Sequence, residues 1–182
     1  MLVGLSIMAL TITIALPDLT AANRRLAMRA AAARLNWLLT SVKDRAGTMD
    51  RYTGIRFTSS QGSWTYAVYE DGNGNGVSGP DITSGIDPLV DGPAPLGRHT
   101  GSARIGFPPG GVTDPDTGLA LNPGASAIGF GTLALCSFAP REGATPGTIY
   151  LTDDVTTVAI RCSPAGDIHS LWFDPKTRKW LK

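Results

Sequence analysis

Apolar side chains fill nearly every position from Met1 to Leu16, Pro17 closes the run, and the first charged residue is Asp18. As a helix rising about 1.5 Å per residue, these positions reach roughly 24 Å, short of the roughly 30 Å hydrocarbon core of a bilayer. Residues 19–45 are then rich in Ala, Leu and Arg, all good helix formers. Leu26, Ala30, Ala33, Trp37 and, after a five-residue step, Val42 trace one apolar stripe, widened by Leu35, Leu38 and Leu39. Arg24, Arg25, Arg29, Arg34 and Lys43 occupy much of the remaining surface. The spacing predicts one long helix ending at Arg45, kinked at Pro17 and stopped by Gly47, with Lys43 and Arg45 complementing the dipole in its last turn.

From Tyr52 the period becomes alternating. Trp64, Tyr66 and Val68 fall on one parity and Thr65, Ala67 and Tyr69 on the other, as in a half-buried strand. Strands are predicted over 52–59, 63–71, 103–107, 127–138, 147–153, 156–163 and 167–174. Residues 85–101 and 108–124 read as Pro/Gly-rich loops, and no helical period follows Gly47. The fold class is therefore α+β. Residues 1–46 form a helix, hydrophobic over 1–17 and amphipathic over 18–46, and residues 47–182 form an antiparallel, β-sandwich-like domain.

Composition agrees with this division. Hydrophobic residues make up 42% of the 182 positions, enough for a core, and the 22 Gly and 13 Pro imply many turns. No glycine lies between Gly4 and Gly47, after which glycine is frequent. A net charge of +1 gives no global argument for nucleic acid or anionic lipid, so any such reading needs a local patch. Cys136 and Cys162 have neither CxxC spacing nor a His cluster, which argues against zinc. They are either a disulfide or two buried thiols; spacing does not decide between them.

The stretch 71–76, DGNGNG, is the most chemically suggestive. Asp71, Asn73 and Asn75 at alternate positions, with Gly76 next, match the first half of a calcium loop, and Asp81 is a further candidate ligand. Position twelve falls on Ile82 rather than Glu, and the competing reading is an Asn-Gly turn between strands. Calcium is thus a weak cofactor candidate and no other is indicated. Gly74, Gly76 and Gly79 also spell GxGxxG, but Pro80 and Asp81 follow where a dinucleotide site needs a helix N-terminus. His99 and His169 are the two histidines, GxSxG and HExxH are absent, and Asp153-Asp154 reads as a solvated turn. The sequence offers no basis for an enzyme or for a small-molecule substrate.

Several segments carry a family resemblance. LVGLSIMALTITIALP, AANRRLAMRAAAARLNWLLTSVKDRA, WTYAVYEDGNGNGVSGPD and GTIYLTDDVTTVAIRCSPAGDI together resemble the GspH/FimT-like minor pseudopilins of the type IV pilin-like superfamily. The resemblance spans nearly the whole chain and implies a structural subunit of a type II secretion pseudopilus or a type IV pilus. Leu2, Val3, Leu5, Ile7, Leu10, Ile12, Ile14, Leu16 and Pro17 would form the inner-membrane anchor and later the filament core. The partners would be other pilins or pseudopilins, met through the helix, and the β domain would be periplasmic. Leu26, Ala33 and Trp37 are expected to pack the helix onto its own β domain. The family's basic leader, Gly cleavage site, Phe or Met and early acidic residue do not precede this run. Aligning Pro17 with the family's proline implies about five mature residues and a leader upstream, which restores an apolar run of about 20, enough to span.

Two further functions follow from other segments. Some FimT-like pilins bind DNA near their terminal strands, and Lys176, Arg178, Lys179 and Lys182 around Trp180 could hold phosphates and stack a base. Against this, Asp167 stands where the DNA-binding members tend to carry Arg, and lysines on an edge strand also block unwanted pairing. A secreted β-sandwich module released by signal cleavage is the remaining alternative.

Overall fold

The computed structural model describes residues 2–121, 124–141 and 143–182, with side chains from Thr20 onward. Helix α1 (Leu2–Met49) is followed by the hairpin β1 (Thr53–Ser60) and β2 (Ser63–Glu70). Next come α2 (Gly79–Ser84), β3 (Leu89–Pro95), α3 (Gly97–Thr100) and the short β4 (Arg104–Ile105) and β5 (Ile128–Gly129). The chain ends with β6 (Leu135–Phe138), β7 (Gly147–Thr152), β8 (Thr157–Cys162), β9 (Ile168–Asp174) and β10 (Lys179–Leu181). One antiparallel sheet has the order β3-β2-β1-β6 and the other β10-β9-β8-β7-β4, with β5 also paired to β7. The fold is α+β, as expected.

The helix differs from its prediction in three ways. It runs through Gly47 to Met49. Asp50 (φ 50°) takes the left-handed position that Gly47 was expected to supply, and the Arg51 N–H donates back to the Ala46 carbonyl at 3.2 Å. Lys43 and Arg45 consequently lie outside the last turn. They tie α1 to the sheets instead: Arg45 Nε donates to Glu70 Oε1 at 2.6 Å and Lys43 Nζ to the Gly166 carbonyl at 2.9 Å. The third difference is the buried face. Met28, Ala31, Ala32, Leu35, Leu38, Leu39, Val42 and Ala46 are buried, whereas Leu26, Ala30, Ala33 and Trp37 are exposed. The expected anchor residues Leu2, Val3, Leu5, Ile7, Leu10, Ile12, Ile14, Leu16 and Pro17 lie outside the residues whose side chains are described. Among the described residues, no helix is long and apolar enough to cross a membrane.

The β1–β2 hairpin closes on Gln61 (φ 49°) and Gly62 (φ 78°), two successive left-handed residues that match the twist of the strands they join. The single strand expected over 127–138 is two. Ile128 pairs with Ile149 of β7, whereas Cys136 pairs with Ile55 of β1. Residues 130–134, with Gly131 and Ala134 at positive φ, carry the chain from one sheet to the other. The expected loop 85–101 contains β3 and α3, and α2 precedes it, so helical turns do follow Gly47.

One core joins all three layers. It contains the buried face of α1, Ile55, Phe57, Tyr66 and Val68 of the first sheet, and Ile149, Leu151, Val158, Ile160 and Cys162 of the second. Alternation puts Tyr150, Ala159 and Leu171 on the opposite face of the second sheet. There the 105–121 connection covers them with Phe107, Val112 and Leu121.

Candidate functional site

The outer face of α1 is the most unusual surface. At roughly 100° per residue, Leu26, Ala30, Ala33 and Trp37 cluster about 180° from the centre of the buried stripe. Leu26 is 60% exposed and Trp37 65%. The same rotation places Arg29 and Arg34 along the two borders of this second stripe. A helix inside one domain needs a single apolar face. This one has two, and its own sheets cover only one.

The DGNGNG loop is organised around carboxylates. Asp71 is buried, and its Oδ1 accepts from the N–H groups of Asn73 (3.0 Å) and Gly74 (2.8 Å), its Oδ2 from that of Gly76 (2.9 Å). Buried Asp87 accepts from Gly72 N–H at 3.2 Å and Ser78 N–H at 2.9 Å. Burial raises the Asp71 pKa, but the converging N–H groups outweigh it and hold the carboxyl below its usual range. Three of the four calcium candidates, Asp71, Asn73 and Asn75, share one loop and Asp81 lies in the first turn of α2, but their polar atoms answer one another. Asn73 Oδ1 accepts from the Asn75 N–H, and Asn75 Nδ2 donates to Asp81 Oδ2, which also accepts from Ser78 Oγ. Among the described residues, no group of three or more His, Cys, Asp or Glu side chains is arranged to hold a metal ion.

The GxGxxG reading fails for a different reason from the one in the sequence. A helix does start at Gly79, capped by Ser78. However, β3 returns antiparallel to β2, so the parallel crossover of a dinucleotide fold is missing.

Cys136 and Cys162 are brought together. Both are fully buried in the shared core as free thiols, one on each sheet, Cys136 Sγ donating to the Thr145 carbonyl and Cys162 Sγ to that of Ser163. The neighbouring Cys136 thiol and the Lys43 ammonium lower the Cys162 pKa, while burial pushes that of Cys136 up.

In the tail, Lys176, Arg178, Lys179 and Lys182 are exposed around the β9–β10 turn. Trp180 is not free beside them. Its Nε1 donates to the Thr113 carbonyl at 2.8 Å, and its ring lies 5.0 Å from Phe173 and 6.0 Å from Tyr150. The cations are available for phosphates, but the aromatic expected to stack a base is committed to the fold.

The remaining polar groups serve the scaffold. Asp153 Oδ1 accepts from the Val155 and Thr156 N–H groups, and Asp154 pairs with Arg104. His99 Nε2 lies 3.3 Å from the Tyr66 hydroxyl, and its pKa is lowered by burial and by Arg34 and Arg98. Sequence reasoning assigned no role to Asp87; its separation from Asp71 by a helix hid it. Compared with family models, curated proteins and solved structures, the chain matches none.

Proposed function

We propose that this chain is a structural subunit of a helix-mediated assembly, of the minor pseudopilin kind its sequence resembles. The observation that carries the reading is the second apolar stripe of α1, with Leu26 and Trp37 mostly exposed opposite the buried face. Burying such a stripe against a neighbouring subunit's helix removes apolar area from water at roughly 25 cal/mol per Å². The apolar run at the start of the chain, which α1 includes from Leu2, supplies the inner-membrane anchor and filament core in this reading. The small Ala30 and Ala33 between the two large residues allow a neighbouring helix to approach closely. The β domain then forms the outer surface. The DNA-binding alternative retains its exposed cations but lacks a free aromatic, since Trp180 is held by Thr113 and its ring neighbours.

Site-specific photo-crosslinking tests the reading in the cell that makes the protein. A crosslinker at Trp37 or Ala33 should capture another chain with an apolar N-terminal helix, and one at Asp116 should not. Capture from Asp116 with none from the α1 positions would overturn the proposal.

A further inference from the structure

We propose that Cys136 and Cys162 are a site of covalent modification: they close into an intramolecular disulfide that joins β6 of the first sheet to β8 of the second. The inference does not depend on the assembly reading. These are the chain's only two cysteines, 26 positions apart, and both have 0% exposure. Topology draws them together. The connection leaving β6 turns back so that the Thr145 N–H donates to the Ser137 carbonyl at 2.8 Å and the Ala144 N–H to the Pro164 carbonyl at 2.9 Å. Two residues beyond Thr145, Gly147 faces Cys162 in the β7–β8 ladder. One segment therefore bonds to the neighbourhoods of both cysteines. Cys136 Sγ lies 3.6 Å from the Thr145 carbonyl and Cys162 Sγ 3.6 Å from that of Ser163.

The chemistry is thiol–disulfide exchange with a low-molecular-weight disulfide such as oxidised glutathione. The Cys162 thiolate attacks one glutathione sulfur, breaking that S–S bond and releasing one glutathione thiolate. The Cys136 thiolate then attacks Cys162 Sγ, forming the Cys136–Cys162 bond and expelling the second glutathione thiolate. Two protons pass from the cysteines to the leaving thiolates, the two cysteines are oxidised and one glutathione disulfide is reduced. Because both thiols are buried, exchange takes place during folding or local opening. Helix α1 packs on both β6 and β8, so the bond ties the sheets together beneath the helix.

The full chain, denatured and reduced, is refolded in a mixture of oxidised and reduced glutathione, then denatured and alkylated without further reduction. The expected product is a monomer with neither cysteine alkylated and a mass lower by two hydrogen atoms than the reduced chain. Its Tm should exceed that of the dithiothreitol-treated chain by roughly 5–12 °C, following loop-closure entropy. Alkylation of both cysteines, or glutathione adducts or intermolecular dimers as end products, would overturn the proposal. The comparison uses one wild-type chain in two redox states, so a variant that fails to fold cannot obscure it.

Discussion

At the scale of single residues, Asp71 does in the β2–β3 connection what a metal ion does in other loops: it gathers backbone groups around one charge. Replacing it by alanine orphans the N–H groups of Asn73, Gly74 and Gly76. The expected cost of Asp71→Ala is about 2–3 kcal/mol, read as a lower urea midpoint with an unchanged slope. The pH dependence has a definite sign. A carboxyl whose folded pKa is below its ordinary value of 3.8 contributes stability that is fully present above that value. The contribution is lost as the pH falls through the lower folded pKa, so the stability gap between wild type and Asp71→Ala should narrow below about pH 4. Gly72 beside it is constrained by space: an added Cβ would lie 1.9 Å from the Ile86 carbonyl oxygen. Gly72→Ala must displace backbone, and a loss of about 1–3 kcal/mol is expected in the same urea titration. The sequence announces this turn through Asp, Asn and Gly. It does not show that two carboxylates sixteen residues apart hold it, because their partners are backbone groups placed only by folding.

At the scale of elements, α1 shows how far periodicity reaches. Its existence and type were legible from Ala, Leu and Arg at helical spacing. The buried face was not, because apolar side chains occupy both opposed faces and the largest, Trp37, lies on the outer one. Leu39 and Trp37 separate the assignments. Leu39→Ala empties a fully buried position and should cost about 2–5 kcal/mol. Trp37→Ala changes a mostly exposed position and should leave the monomer within about 0.5 kcal/mol, while weakening any assembly through the outer stripe. Urea melts of the two variants, with subunit capture as a second readout, check both halves. Strand β3 was hidden for another reason. Gly92, Pro93 and Pro95 read as loop, yet β3 pairs only with β2 at a sheet edge, where missing N–H donors are tolerated. The 127–138 run carried continuous strand propensity, and only long-range pairing reveals that its ends belong to different sheets.

At the scale of the whole molecule, the α+β class was legible because a helical period gives way to alternation near Gly47. How the parts join was not, since a core shared by α1 and both sheets depends on contacts distant in sequence. That shared core makes the second half of α1 part of the domain. Residues 20–27 of α1 are exposed, and among the residues whose side chains are described burial begins at Met28. A chain beginning at Asn23 should therefore melt within about 3 °C of the full chain and in one cooperative transition. A chain beginning at Asn36 loses Met28, Ala31, Ala32 and Leu35 from the core. Met28 and Leu35 alone represent about 4–10 kcal/mol at the usual cost of emptying large core positions, comparable with the whole stability of a typical domain. This shorter chain should lose cooperative melting by far-UV circular dichroism. Its fluorescence should report exposure of Trp64 and Trp172, which pack against that core. If it instead melted cooperatively at the full chain's Tm, α1 would be an appendage resting on the sheets and the shared core would have to be abandoned.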